Sequence, residues 1–475
     1  MAVRPAVAVL ASLTLGACGG GNVDVLLVEI VSAEGGNPAA GITGRLELEL
    51  LDVTGGGRST STDVDDGDFE LDLRDIDFTI GTEVRARLTG EDRAGSSRRL
   101  LGAFPAVRPA SFAASCPRLA LVAAGRCELL DVGPSSCGGA LELPGPVTDV
   151  AAVRWGGAQF LTFGGRQRDG EPTERIALFE RVDLLGRELG DDAVRGGLGP
   201  AQAVSLREDR AVLLGDRDEL RVMTTERFEP EEGAPLALHR GAGAGTLVDV
   251  EPGVAAVLGG EATDLVTWVE LLASGELRTS GSRLATPRTR PLAVSLGGAL
   301  LVTGGAADSA PAAEWVEPFR DGEARPTPAL GSGRGEHLVA GPTGTSALLV
   351  GPPDGDGPSP RTLLLQECAT VCTVDDGPAW SPRARSRVVA TAEGTTWIVG
   401  GEVGDEASAV TEWITWVEGS PGQETPRLVR GPDLVDARAG PALIEQAAGL
   451  VLVLGGEHEG GLRRSVELCA PSDLP

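Results

Sequence analysis

One short phrase recurs along this 475-residue chain: an apolar run that stops at two glycines. It reads "QFLTFGG" ending at Gly165, "VAAVLGG" at Gly260, "ALLVTGG" at Gly305, "TTWIVGG" at Gly401 and "LVLVLGG" at Gly456. A short continuous apolar run suits a strand covered on both faces, and a Gly pair opens positive φ to the turn that follows. Degenerate copies, "VLLGD" at Gly215 and "LLVGP" at Gly351, bring the series to seven. Their first glycines are spaced by 51, 44, 45, 47, 49 and 55 residues.

A period in the forties to fifties, several short strands per unit and no helical periodicity predict an all-β array of propeller blades. Leucine-rich and ankyrin arrays have shorter periods. The fourth copy shows the internal order best: "LAVSL", a turn at Gly297-Gly298, "ALLVT", the Gly pair, a third strand ending in Glu, then a fourth strand. A third-strand Glu recurs at Glu180, Glu270, Glu317, Glu367, Glu418 and Glu467, and three of these close the triplet "WVE". An Arg stands 16 or 17 residues before the first glycine at Arg288, Arg334, Arg383 and Arg438.

Together these landmarks resemble the kelch repeat: a strand ending in Gly-Gly, a "VE" strand, and a Pro-Arg before the first strand, as in "TPR" at Arg288 and "SPR" at Arg383. The resemblance spans 138–475 and implies a seven-bladed kelch-like β-propeller. The array departs from the pattern in having no tyrosine and few of the late tryptophans.

The region before the array divides into segments. Residues 1–18, "MAVRPAVAVLASLTLGAC", have a short basic start, an apolar stretch and small residues before Cys18, which reads as a secretory signal. Its end resembles a bacterial lipobox, implying cleavage before Cys18 and lipid on its sulfur; Gly19, not Asp, implies passage to the outer membrane. Residues 19–23 form a tether. From 24 to 110, period-two stretches such as "RLELELLDV" predict a small β-sandwich, similar in texture to immunoglobulin-like or carboxypeptidase-regulatory-like modules. A connector, 111–137, carries Cys116, Cys127 and Cys137.

With Cys18 set aside, six cysteines remain in an exported chain, an even number that reads as disulfides. The seventh unit ends after its third strand, so a segment before the first unit must supply the fourth. Cys469 in "VELCAP" matches Cys368 of the fifth unit, and Cys137 in "SCGGALELPGP" matches Cys372. The expected pairs are Cys368 with Cys372, Cys137 with Cys469 and, by elimination, Cys116 with Cys127.

Charge and motif content narrow the function classes. With 69 acidic residues against 41 basic ones, all arginine, the net charge of −28 opposes binding to nucleic acid. Kelch-like copper oxidases and sialidase-type propellers both depend on Tyr, and the chain has none. No nucleophile elbow or P-loop occurs, and His239, His337 and His458 fall in three different units without metal-binding spacing. No C-x-x-C pair suggests zinc. The acidic run from Asp63 to Asp77 is a calcium candidate, weighed against a plain hairpin turning at Asp66-Gly67.

Arg288, Arg334, Arg383 and Arg438 stand before innermost strands, where they either bind an anion at a channel mouth or hold neighbouring blades together. The "WVE" tryptophans are expected to pack in the core. The resulting expectation is a cell-envelope protein, lipid-anchored to the outer membrane through Cys18. Its propeller serves as a noncatalytic binding or scaffolding module for a protein or glycan, with no cofactor, no metal and no catalytic residue. The alternative is an extracytoplasmic hydrolase of envelope glycans, using carboxylates at the channel mouth.

Overall fold

The computed structural model describes residues 8–12, 25–32, 38–52, 56–66, 82–107, 118–130, 148–155, 159–166, 176–181, 185–189, 202–207, 210–215, 219–224, 236–238, 242, 245–261, 263–305, 312–318, 325–329, 336–351, 362–366, 373–418, 424–459 and 461–473. They form an all-β chain of small sheets. Seven sheets of four strands each account for most of it, spanning 151–189, 202–237, 246–288, 292–329, 337–376, 387–430 and 442–469. Strands follow one another across each of the first six, all antiparallel.

The second strand of each sheet explains the apolar runs. Val254–Leu258, Ala299–Thr303 and Leu450–Leu454 are buried at every position, because the sheet is covered on both faces. Apolar clusters fill the spaces between successive sheets: Val153 and Trp155 with Leu213 and Met223, then Val212 with Val257, Trp268 with Leu300, Leu301 with Leu349, Leu348 with Ile398, and Trp397 with Val451. A seventh joins Leu452 and Leu454 of the last sheet to Phe160 and Phe179 of the first.

All five Gly pairs have positive φ at both positions. At Gly259 and Gly400 the cause is a close approach. A Cβ there would lie 2.6 Å from the carbonyl oxygen of Arg288 and 2.5 Å from that of Arg438. The following amides, of Gly260 and Gly401, donate to those same two oxygens at 3.0 and 2.7 Å. Each corner thus receives the backbone that leads into the next sheet, which requires glycine.

The seventh sheet takes its fourth strand from far upstream. Cys127–Leu129 pairs antiparallel with Val466–Cys469, placing Cys127 opposite Cys469, and the two are joined in a disulfide. This corrects the expected pairs Cys137 with Cys469 and Cys116 with Cys127: the closing strand comes from "CEL", not from "SCGGALELPGP". Spacing within the fifth unit could not reveal which upstream segment has a free edge to offer. Cys116, Cys137, Cys368 and Cys372, and with them the expected Cys368–Cys372 pair, lie outside the described residues, as does Cys18.

The N-terminal strands lie in one seven-stranded sheet, with Ala8–Ser12 at one edge and Gly57–Val64 at the other. Arg118–Ala123, within the expected connector, belongs to it and runs parallel to Val25–Ser32. A second layer of the expected sandwich is not seen among the described residues. Leu46, Leu48 and Leu50 alternate with exposed Glu47 and Glu49, as period two predicts. Val31, Leu101 and Val122 pack into the cluster shared by the last and first sheets, and Arg87 Nη2 reaches Asp473 Oδ1 at 2.9 Å.

Candidate functional site

Three of the four expected arginines are structural. Arg288, Arg383 and Arg438 each lie four residues before the first strand of the next sheet in sequence, and all are buried. Each guanidinium bonds the carbonyl of the Gly corner in the sheet it precedes: Gly304, Gly400 and Gly455, at 2.5, 2.6 and 2.9 Å. Each also pairs with a buried third-strand acid. Arg288 Nη2 lies 2.7 Å from Glu314 Oε1, Arg383 Nη1 2.5 Å from Glu412 Oε2, and Arg438 Nη2 2.6 Å from Glu467 Oε1. Their donors are engaged, so they are not the anion-binding cluster. Arg334 lies outside the described residues.

The acids also correct the sequence register. Glu314, Glu412 and Glu467 stand opposite Val302, Ile398 and Val453, each two residues before its Gly pair. Glu317 and Glu418, which close "WVE", are not their equivalents, because third strands differ in length: Ala312–Val316 against Thr411–Glu418. In the third sheet Ala242 holds the Arg position and Thr267 the Glu position, so neither charge is buried without the other. The second oxygen of the pair reaches the preceding element: Ala285 N donates to Glu314 Oε2 at 2.6 Å, and Val435 N to Glu467 Oε2 at 2.8 Å.

A second set stands closer to the first strands, two residues after the buried arginines of the three motifs and at the matching place before the first sheet. Asp149, Arg290, Arg385 and Gly440 each precede a first strand by two positions, with φ of 56, 48, 54 and 59°. Three non-glycine residues held in the left-handed region mark a repeated corner imposed by the tertiary structure. The corners of successive sheets are linked: Gly440 N donates to Arg385 O at 3.0 Å, and Asp149 N to Gly440 O at 3.0 Å. Gly440 leaves the space in which neighbouring side chains meet, since a Cβ there would lie 2.6 Å from Asp149 Oδ1.

Over that space Arg385 lies 3.4 Å from Asp149 and 3.2 Å from both Glu402 and Glu457, and Arg387 Nη2 donates to Asp149 Oδ1 at 2.9 Å. Partial burial opposes the Arg385 charge, but Asp149, Glu457 and Glu402 more than offset it and hold the guanidinium above its ordinary range.

These corners edge a cavity of about 1150 Å³, walled by residues of the first strands of the first, second, third, fourth, sixth and seventh sheets. Its charged lining is Arg166, Arg290, Arg385 and Arg387 against Asp149 and Glu457. Sequence reasoning weighed these arginines as an anion cluster or as ties between blades, and overlooked the second arginine of the same motifs, which lines the cavity. The signal was present in "TPRTR" and "SPRARSR", where the first Arg is buried and the second lies at the cavity.

Other candidates find ordinary places. His337 is buried, its Nε2 2.7 Å from Ser386 Oγ, and burial, together with Arg387 and Arg383, lowers its pKa to about 3. His458 Nε2 lies 3.6 Å from Glu459 Oε1; His239 is outside the described residues. Trp268 is buried and donates to Ser282 Oγ at 2.8 Å, while Trp315 and Trp416 pack against core clusters. Asp66 has a φ of 48° and its carboxylate is held by Arg93 at 2.6 Å, while residues 67–77 of the acidic run lie outside the described residues. Among the described residues no group of three or more His, Cys, Asp and Glu is placed to hold a metal ion. No family model matches the chain, and no curated protein matches it in sequence.

Proposed function

We propose that the seven four-stranded sheets form a closed seven-bladed kelch-like β-propeller, and that the chain is a cell-envelope protein anchored to the outer membrane by lipid on Cys18. Its propeller serves as a noncatalytic binding or scaffolding module. The observation that carries the ring is the succession of apolar clusters, one between each pair of consecutive sheets and one between the last and the first. The shared seventh sheet supports it, since a borrowed strand removes the open edge that a terminal blade would present.

Signal cleavage fits the N-terminal sheet: Ala8–Ser12 is an edge strand, and its loss leaves the other six strands paired. A binding role is favoured over glycan hydrolysis by the state of the cavity acids. Asp149 accepts from Arg385 and Arg387, and Glu457 from Arg385 through Oε2, so each acid is already paired with arginine.

Fractionation of cells expressing the full chain tests the anchor. The wild type is expected in the outer-membrane fraction and Cys18→Ala in the soluble periplasm; a variant that stays with the membrane overturns the lipid reading. Incubation of purified protein with envelope glycans is expected to release no new reducing ends. Release that is abolished by Asp149→Asn would move the assignment to the hydrolase.

A further inference from the structure

The geometry points to the cavity edged by Arg166, Arg290, Arg385 and Arg387 as a binding site for a small anion carrying two or more carboxylate or phosphate groups. This deepens the binding-module reading by naming the ligand class, and rests on it only for the use of the cavity.

The first argument is charge. The chain as a whole is strongly acidic, at −28, yet four arginines and two acids line this cavity. A concave site with protein walls and an excess of arginine over acid concentrates anions beyond what the same net charge on an open surface would.

The second is the accounting of donors. Arg385 and Arg387 are engaged by Asp149, Glu402 and Glu457. The neutral polar groups are engaged too: Gln202 bonds Gly245 O and Leu247 N, each at 2.9 Å, and Thr246 Oγ1 donates to Pro291 O at 2.5 Å. Arg166 and Arg290 alone among the lining cations have no ion-pair or side-chain hydrogen-bond partner among the described residues. Arg166 follows the Gly pair of the first sheet and Arg290 the buried Arg288 of the fourth, so they reach the mouth from different walls. Arginine offers a planar fork matched to carboxylate and phosphate oxygens.

The third is size and exposure. A volume of about 1150 Å³ accommodates a metabolite-sized ligand. Both free arginines are exposed, and a single contact with a solvated guanidinium is worth little. Both line the same cavity, so an anion with two or more charged groups can gain from each guanidinium.

Calorimetric titration of the purified chain at low ionic strength, with citrate and with inorganic pyrophosphate, tests the site. The comparison includes Arg166→Gln, Arg290→Gln and the double variant. Saturable binding is expected, weakened about tenfold or more in the double variant and weakened by added salt, while the melting temperature without ligand stays at the wild-type value. Binding of citrate alone identifies a carboxylate source and of pyrophosphate alone a phosphate source; either supports the site. No saturable binding by the wild type, or binding undiminished in the double variant, overturns it. So does capture of a tetraglutamate peptide with no binding of either small ion, which would reassign the mouth to an acidic protein segment. A chain that remains lipid-anchored through Cys18 yet binds neither ion loses this inference and keeps the envelope assignment.

Discussion

Arg438 Nη2 lies 2.6 Å from Glu467 Oε1, and neither side chain is exposed at all. The pair ties the segment entering the seventh sheet to that sheet's third strand, with Gly455 O, Ser465 O and Ser465 Oγ taking the remaining guanidinium hydrogens. Removing one partner leaves the other buried without compensation, which costs about 3–5 kcal/mol. Glu467→Gln and Arg438→Gln are each expected to lose stability on that scale in urea unfolding. The double variant should lose less than the sum. Losses under about 1 kcal/mol would mean that the pair is dispensable.

The Cys127–Cys469 disulfide closes a loop with a sequence separation of 342 residues. In the chain-entropy model, a loop of that length stabilises by roughly 6 kcal/mol. Peptide mapping without reductant is expected to recover Cys127 joined to Cys469. Cys127→Ser should lower the melting temperature and release the C-terminal strand to protease; an unchanged melting temperature would remove the clasp from the account.

Gly440→Ala should damage the cavity mouth specifically. The added methyl would sit 2.6 Å from Asp149 Oδ1 and 2.8 Å from Thr148 Oγ1, at a φ of 59°. Displacing Asp149 breaks its contacts with Arg385 and Arg387, and the strain adds about 1–3 kcal/mol. Thermal unfolding measures the loss, and Arg385→Gln in the same background should cost less than in the wild type.

Two buried groups predict opposite limbs of a pH–stability curve. Glu445, raised by burial to about 7, is protonated more readily in the fold than in the unfolded chain. Its contribution is fully present below its ordinary pKa and is lost as pH rises through about 7. His337, lowered by burial to about 3, is held neutral in the fold, so stability falls as pH drops from its ordinary range toward 3. Denaturation midpoints across pH should flatten on the alkaline side in Glu445→Gln and on the acid side in His337→Gln. A variant curve parallel to the wild type would rule out that group as the cause.

Much of the architecture is local and legible in the residues alone. Apolar runs such as "LVLVL" require a strand covered on both faces, and the Gly pairs after them require positive φ; both requirements hold residue by residue. The repeat predicted seven units, and the truncated last one called for a strand from upstream. Which strand supplies it depended on the tertiary structure, because pairing of Val466–Cys469 with Cys127–Leu129 joins residues more than 300 positions apart.

The same limit separates Arg288 from Arg290. Both belong to one short motif, yet one is sealed against Glu314 and the other, itself the left-handed corner, stands exposed at the cavity. Spacing encodes that a side chain recurs. Whether it recurs inside a sheet or at the cavity is set by the neighbouring sheets that pack against it.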